Sequence, residues 1–106
     1  MAIVKILTLK GCPRCKALKN KLDYIKNSFK FVDCDDFPEI CDYAEQLSGS
    51  DQYPMAIVLD IQDKITDVVY FTDDYNQIGK RHKLLDGVSG FTVYSIDQMA
   101  DYVTKL

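Results

Sequence analysis

Gly11-Cys12-Pro13-Arg14-Cys15-Lys16 is the stretch of this sequence whose residue types and spacing can do chemistry. Two thiols three positions apart can exchange with an external disulfide or share a metal ion. Exchange needs a thiolate, and an unperturbed cysteine is mostly protonated at neutral pH. A cysteine at the start of a helix escapes that limit, because unpaired backbone N–H groups and the positive end of the helix dipole stabilise an anion. Pro13 suits a first helical position, where its missing N–H costs nothing, so Cys12 falls at the cap. Lys10, Arg14 and Lys16 add positive charge close in sequence. Cys15 lies one turn further in, on the face that carries Leu18, Leu22 and Ile25, and is shielded. That asymmetry assigns the roles: Cys12 attacks a substrate disulfide, and Cys15 resolves the mixed disulfide that results.

The elements that must position this pair can be read around it. Ala2–Leu9 (AIVKILTL) is almost continuously apolar, the pattern of a strand buried on both faces. A helix from Pro13 to about Asn27 and a second strand, Phe29–Cys34, complete a βαβ unit, whose crossover should be right-handed. Asp36 with Glu39 resembles a capping box that opens a helix ending near Leu47, with Ile40, Ala44 and Leu47 inward and Ser48-Gly49-Ser50 terminating it. Met55–Ile61 and Ile65–Phe71 flank a three-residue turn and form an antiparallel hairpin. Ser95, with Gln98 three positions later, caps a closing helix that carries Ile96, Met99, Ala100 and Val103. The expected fold is α/β, in the order βαβ-α-ββα: a four-stranded mixed sheet flanked by helices, with Thr72–Gly90 as an extended loop.

The whole chain of 106 residues, 47% of them hydrophobic and 27% charged, is one small domain and excludes disorder or low complexity. Net charge is -3, unevenly spread. Residues 1–30 hold eight Lys/Arg against the single acid Asp23, whereas residues 31–106 hold five against fifteen acids. Such an acidic body is not a nucleic-acid footprint. No apolar run approaches the ~20 residues that span a bilayer, and Met1–Lys5 carries no signal-peptide pattern. The expected location is therefore the cytoplasm, where reductants keep structural thiols reduced and a close cysteine pair is catalytic or metal-binding.

Cys12-Pro13-Arg14-Cys15 after the first strand of a βαβ unit, with Tyr53-Pro54 leading into a hairpin, resembles the glutaredoxins of the thioredoxin-fold superfamily. The resemblance covers residues 2–71 and the last helix. It implies a thioredoxin-like fold and a thiol–disulfide oxidoreductase that reduces protein or glutathione disulfides by dithiol exchange. Glutathione is the implied co-substrate, with no tightly bound cofactor, and a thioredoxin-reductase-fed redoxin is the near alternative. The resemblance also implies a cis Tyr53–Pro54 bond facing the cysteines, with the Tyr53 backbone offered to a peptide-like substrate. Lys10, Pro13, Arg14, Tyr53, Pro54 and Asp97 are the implied substrate-binding residues: Lys10 for a glutathione carboxylate, Asp97 for its amino group. The chain departs from the family at Arg14, usually aromatic, at Gln52-Tyr53, usually Thr-Val, and before the last helix. There only Gly90 and Asp97 are counterparts of the usual Gly-Gly and acid. The implied protein is a monomer acting on disulfide-containing proteins or glutathione, without nucleic acid or membrane.

Other readings remain beside this one. Cys12 and Cys15 could hold zinc or, in a glutathione-bridged dimer, an iron–sulfur cluster. Zinc normally needs two more ligands, for which Cys34, Cys41 and the sole histidine, His82, are poorly spaced, so no metal ligand is assigned. A redox-inactive adaptor on the same fold is the third possibility. Cys34 and Cys41 are either inert buried thiols or a second, regulatory disulfide, if the strand end meets the helix face. Gly79–Lys83 is a basic cluster, read as a solvated loop or as a contact for an acidic group.

Overall fold

β1 (Ile3–Thr8) buries Val4, Ile6 and Leu7 and lies inside the sheet, as its unbroken apolar run requires. The computed structural model describes residues 3–23 and 29–106. α1 (Pro13–Leu22) turns Cys15, Leu18 and Leu22 inward. The helix is capped by Asp23, and residues 24–27 of the expected helix, including Tyr24 and Ile25, lie outside the described residues, as does Ala2. β2 (Phe29–Asp33) then pairs parallel with β1. α2 (Pro38–Ser48) buries Cys41, Ala44 and Leu47 and stops at Gly49, whose φ of +70° a side chain would resist.

β3 (Met55–Leu59) is buried along its length, antiparallel to β1 on one side and to β4 (Ile65–Phe71) on the other. Their connection is longer than the sequence suggests. Asp60 and Lys64 close it with a backbone bond from the Asp60 N–H to the Lys64 carbonyl at 2.9 Å, and the Asp60 carboxylate accepts the N–H groups of Gln62 and Lys64, at 2.8 and 3.0 Å, with Asp63 in the left-handed region. An Asx-type turn thus replaces the expected three-residue one.

The sheet has six strands, not four, in the order β2-β1-β3-β4-β6-β5. The stretch read as an extended loop contains β5 (Arg81–Lys83), a turn at Leu85–Gly87, and the start of β6 (Ser89–Val93). β6 runs parallel to β4 and antiparallel to β5. β5 has no alternating apolar signature: it is Arg-His-Lys, a charged edge of the kind that discourages further pairing. The basic cluster is accordingly structured. Arg81 bonds Asp67 at 2.9 Å and reaches the Tyr102 hydroxyl, while His82 Nε2 meets the Tyr70 hydroxyl.

Gly90 is likewise inside β6 and not at a ligand turn. A Cβ added there would sit 2.9 Å from Leu84 Cγ, so its lack of a side chain lets the extension close on Leu84. α3 (Ile96–Thr104) follows, with Ser95 Oγ accepting the Gln98 N–H at 3.1 Å, as its capping pattern predicts. The Asp36–Glu39 box does not form. Asp33 takes over that corner: its carboxylate accepts the Asp35 N–H and its carbonyl accepts those of Asp36 and Phe37. Phe37 caps α2 with no side-chain bond.

Two apolar clusters flank the sheet. One joins α1 and α3 through Leu18, Leu22, Met99 and Val103 over Ile6, Val58 and Val69. The other packs α2 through Cys41, Ala44 and Leu47 over Leu7, Met55, Ile57 and Val68, and also holds Cys15, Cys34 and Tyr53. Among the described residues no helix is long and apolar enough to cross a membrane.

Gly90→Ala should lower stability by about 1–3 kcal/mol in urea unfolding, through overpacking against Leu84. The same change in a Leu84→Ala background should cost clearly less. Equal costs in both backgrounds would mean that Leu84 is not what confines the strand.

Candidate active site

Strand β1 delivers the chain to Gly11, whose φ of +71° turns it into α1, and Cys12 becomes the helix N-cap. Cys12 Sγ accepts the backbone N–H of Cys15 at 3.2 Å, and the Cys12 carbonyl accepts that of Lys16. The two cysteines form a disulfide with Cα atoms 5.3 Å apart. Their environments differ as the helix phase demands. Cys12 is half-buried and borders an open groove, whereas Cys15 is only 5% exposed.

Tyr53–Pro54 is a cis peptide, and the Tyr53 carbonyl oxygen lies 3.8 Å from Cys12 Sγ. Sequence separation of forty-one residues is thus closed to contact at the one sulfur that faces outward. The Tyr53 side chain points away into the core and donates its hydroxyl to Glu45 Oε2 of α2 at 2.6 Å. Burial, then that hydrogen bond and the charge of Glu45, hold the Tyr53 phenol well above the ordinary tyrosine range.

Arg14 reaches across the site. Its guanidinium bonds Gln52 Oε1 at 3.4 Å and stands 4.9 Å over the Phe71 ring, and Gln52 donates in turn to Asp73 at 3.4 Å. Cys12 lies in one groove of about 490 Å³, bordered by Leu9, Phe31, Lys16 and Lys19. Beyond Gln52 opens a second of about 520 Å³, bordered by Asp51, Asp73 and Asp74. The groove at Cys12 is thus edged by lysines, and the one beyond Gln52 by aspartates.

Of the residues singled out from sequence, the structure gathers Cys12, Pro13, Cys15, Arg14, Tyr53 and Pro54 at this end of the sheet. Lys10 is exposed in the turn just before Gly11. Asp97 is not brought to the group: it pairs with Lys21, and neither borders the Cys12 groove. The reason is topological. α3 follows β6 instead of β4, so its first turn starts one strand further along the sheet, ~4.8 Å per strand. Glu45, Gln52, Phe71 and Asp73 were not visible as partners in the sequence, since no short-range pattern links them to the cysteines. Cys34 and Cys41 form the second disulfide, Cα atoms 5.8 Å apart, because the end of β2 does meet the face of α2.

Because the Tyr53 phenol titrates higher in the folded chain than unfolded, its contribution to stability is complete below about pH 10 and is lost as pH rises through the folded value. Urea midpoints should fall above about pH 10, with a slope of up to ~1.4 kcal/mol per pH unit from this proton. Tyr53→Phe should flatten that fall. An identical slope in the variant would show that Tyr53 ionises as freely folded as unfolded.

The glutaredoxin family model matches residues 4–60, which carry β1, α1, β2, α2 and β3 with the cysteine pair and the cis-proline turn between them. No match was found among curated proteins or among solved structures. The match stops before β4, so the β5–β6 extension lies outside it. More than half of the chain thus fits one family whose chemistry is thiol–disulfide exchange, and this protein belongs to the glutaredoxin family.

Proposed function

We propose that the protein is a dithiol thiol–disulfide oxidoreductase that reduces protein disulfides and glutathione mixed disulfides through Cys12 and Cys15. The observation that carries this reading is the Cys12 sulfur at the head of α1, accepting the Cys15 N–H with the Tyr53 carbonyl opposite. On reduction, the same N–H and the helix dipole favour a thiolate at Cys12. That thiolate attacks one sulfur of the substrate disulfide, and the other sulfur departs as a thiolate. Cys15, one turn in, then displaces the bound half and restores the internal disulfide.

Glutathione is the proposed co-substrate and electron donor, acting on a monomer in the cytoplasm. The Tyr53 backbone beside Cys12 offers short β-type pairing to a peptide-like substrate, with Pro13 on the groove wall and the buried Pro54 fixing the turn that carries Tyr53. Lys10 and Arg14 supply positive charge for its carboxylates. For its ammonium group, the carboxylate joined to the rim of the site is Asp73, through Gln52, and not Asp97, which is held by Lys21.

Cys12→Ser should abolish reduction of hydroxyethyl disulfide with glutathione and its reductase, while Cys15→Ser should retain a monothiol reaction or accumulate a mixed disulfide. Equal and complete loss in both variants would contradict the division of roles. Turnover seen only with thioredoxin reductase would overturn glutathione as donor. Asp73→Asn should raise KM for a glutathionylated peptide severalfold, and Asp97→Asn should leave it unchanged; the reverse order would restore Asp97 as the ligand.

A further inference from the structure

The second disulfide lies in the structure that supports the first. Cys34, just past β2, donates its N–H to the carbonyl of Thr8, the last residue of β1, from which the chain runs to Cys12. Its partner Cys41 stands in the opening turns of α2. That helix begins without a side-chain cap, so the disulfide is a covalent tie where the usual polar one is missing. Glu45 follows Cys41 by four residues and so shares its side of the helix. Glu45 grips the Tyr53 hydroxyl, and Tyr53 presents its carbonyl to Cys12. Cys15, Cys34, Cys41 and Tyr53 belong to one apolar cluster, with Cys12 packed against it.

We infer that Cys34–Cys41 is a redox-controlled brace on the substrate-binding rim: while oxidised it fixes α2, and through Glu45 it fixes the Tyr53 backbone beside Cys12. Glu45 is a positioning residue in this chain of contacts. Release of the brace is a two-electron step. One thiolate of an external dithiol attacks the Cys34 sulfur, which at 8% exposure is the more open of the two, and Cys41 at 2% leaves as a thiolate and is protonated. The second thiolate of the dithiol displaces Cys34, which is protonated in turn. The protein gains two electrons and two protons, and the dithiol becomes a disulfide. The inference that the rim binds substrate rests on the function proposed above; the mechanical linkage does not.

Two readouts separate those layers. Amide hydrogen exchange at Gln52, Tyr53 and Met55 should accelerate at least about tenfold in Cys34→Ser/Cys41→Ser and in Glu45→Ala, while β1 is unchanged. Glu45→Gln, whose carbonyl still accepts the Tyr53 hydroxyl, should stay near wild type, and combining Glu45→Ala with the serine pair should add little. With a glutathionylated peptide as substrate, the serine pair and Glu45→Ala should raise KM at least threefold and leave kcat within twofold. Unchanged exchange at the rim, or equal acceleration across the whole sheet, would overturn the brace. Should the serine pair fail to fold, Glu45→Ala against Glu45→Gln decides by the same criterion. A wild type without turnover would sink the proposed function and leave the exchange result to judge the linkage.

Discussion

A single hydrogen bond, from the Cys15 N–H to the Cys12 sulfur, organises this molecule's chemistry. It exists because, shortly after a buried strand ends, a glycine turns the chain sharply, and because a proline then starts the helix without needing a donor. The sulfur thereby occupies the place where a capping oxygen normally sits. In the function proposed above, that N-cap, on an element fixed by Leu18 and Leu22 in the core, is the preorganised site for a thiolate. The helix phase that puts Leu18 inward puts Cys15 inward as well, so the more accessible and the sheltered cysteine follow from one geometric fact.

The rest of the site is imported from afar. The loop before β3 carries Tyr53 to Cys12, and its side chain is anchored on α2 through Glu45. The end of β4 supplies Phe71 beneath Arg14, and Asp73 follows it as the partner of Gln52. The β5–β6 extension moves α3 outward along the sheet, and with it Asp97, which settles on Lys21. The added pair of strands thus leaves Asp97 away from the Cys12 groove, while the carboxylate bonded to Gln52 is Asp73.

What could be read from residues alone divides along physical lines. The βαβ unit, the two later helices and the hairpin were legible because apolar periodicity and turn chemistry act over short distances. The cap at Ser95 obeyed its pattern, whereas the one at Asp36 lost to Asp33, whose carboxylate and carbonyl both serve the same corner. β5 was invisible because Arg81-His82-Lys83 has no apolar face, and its pairing is enforced by β6 and by the contact of Gly90 with Leu84. Cys12 and Cys15 were legible as a pair, but Glu45, Gln52 and Asp73 join the site only through tertiary contacts that no local spacing encodes. The pairing of Cys34 with Cys41 depended on how a strand end meets a helix, and that too is a property of the folded chain.

The central claim is that α1 makes Cys12, once reduced, an acidic thiol more accessible than the protected Cys15. The most direct test is the rate of iodoacetamide alkylation of the freshly reduced protein as a function of pH, with the modified cysteine located by peptide mass. Cys12 should react first, with an apparent pKa below the ordinary ~8.5 of a free cysteine. A Cys12 that titrates at or above that value, or a Cys15 that is labelled ahead of it, would contradict the account.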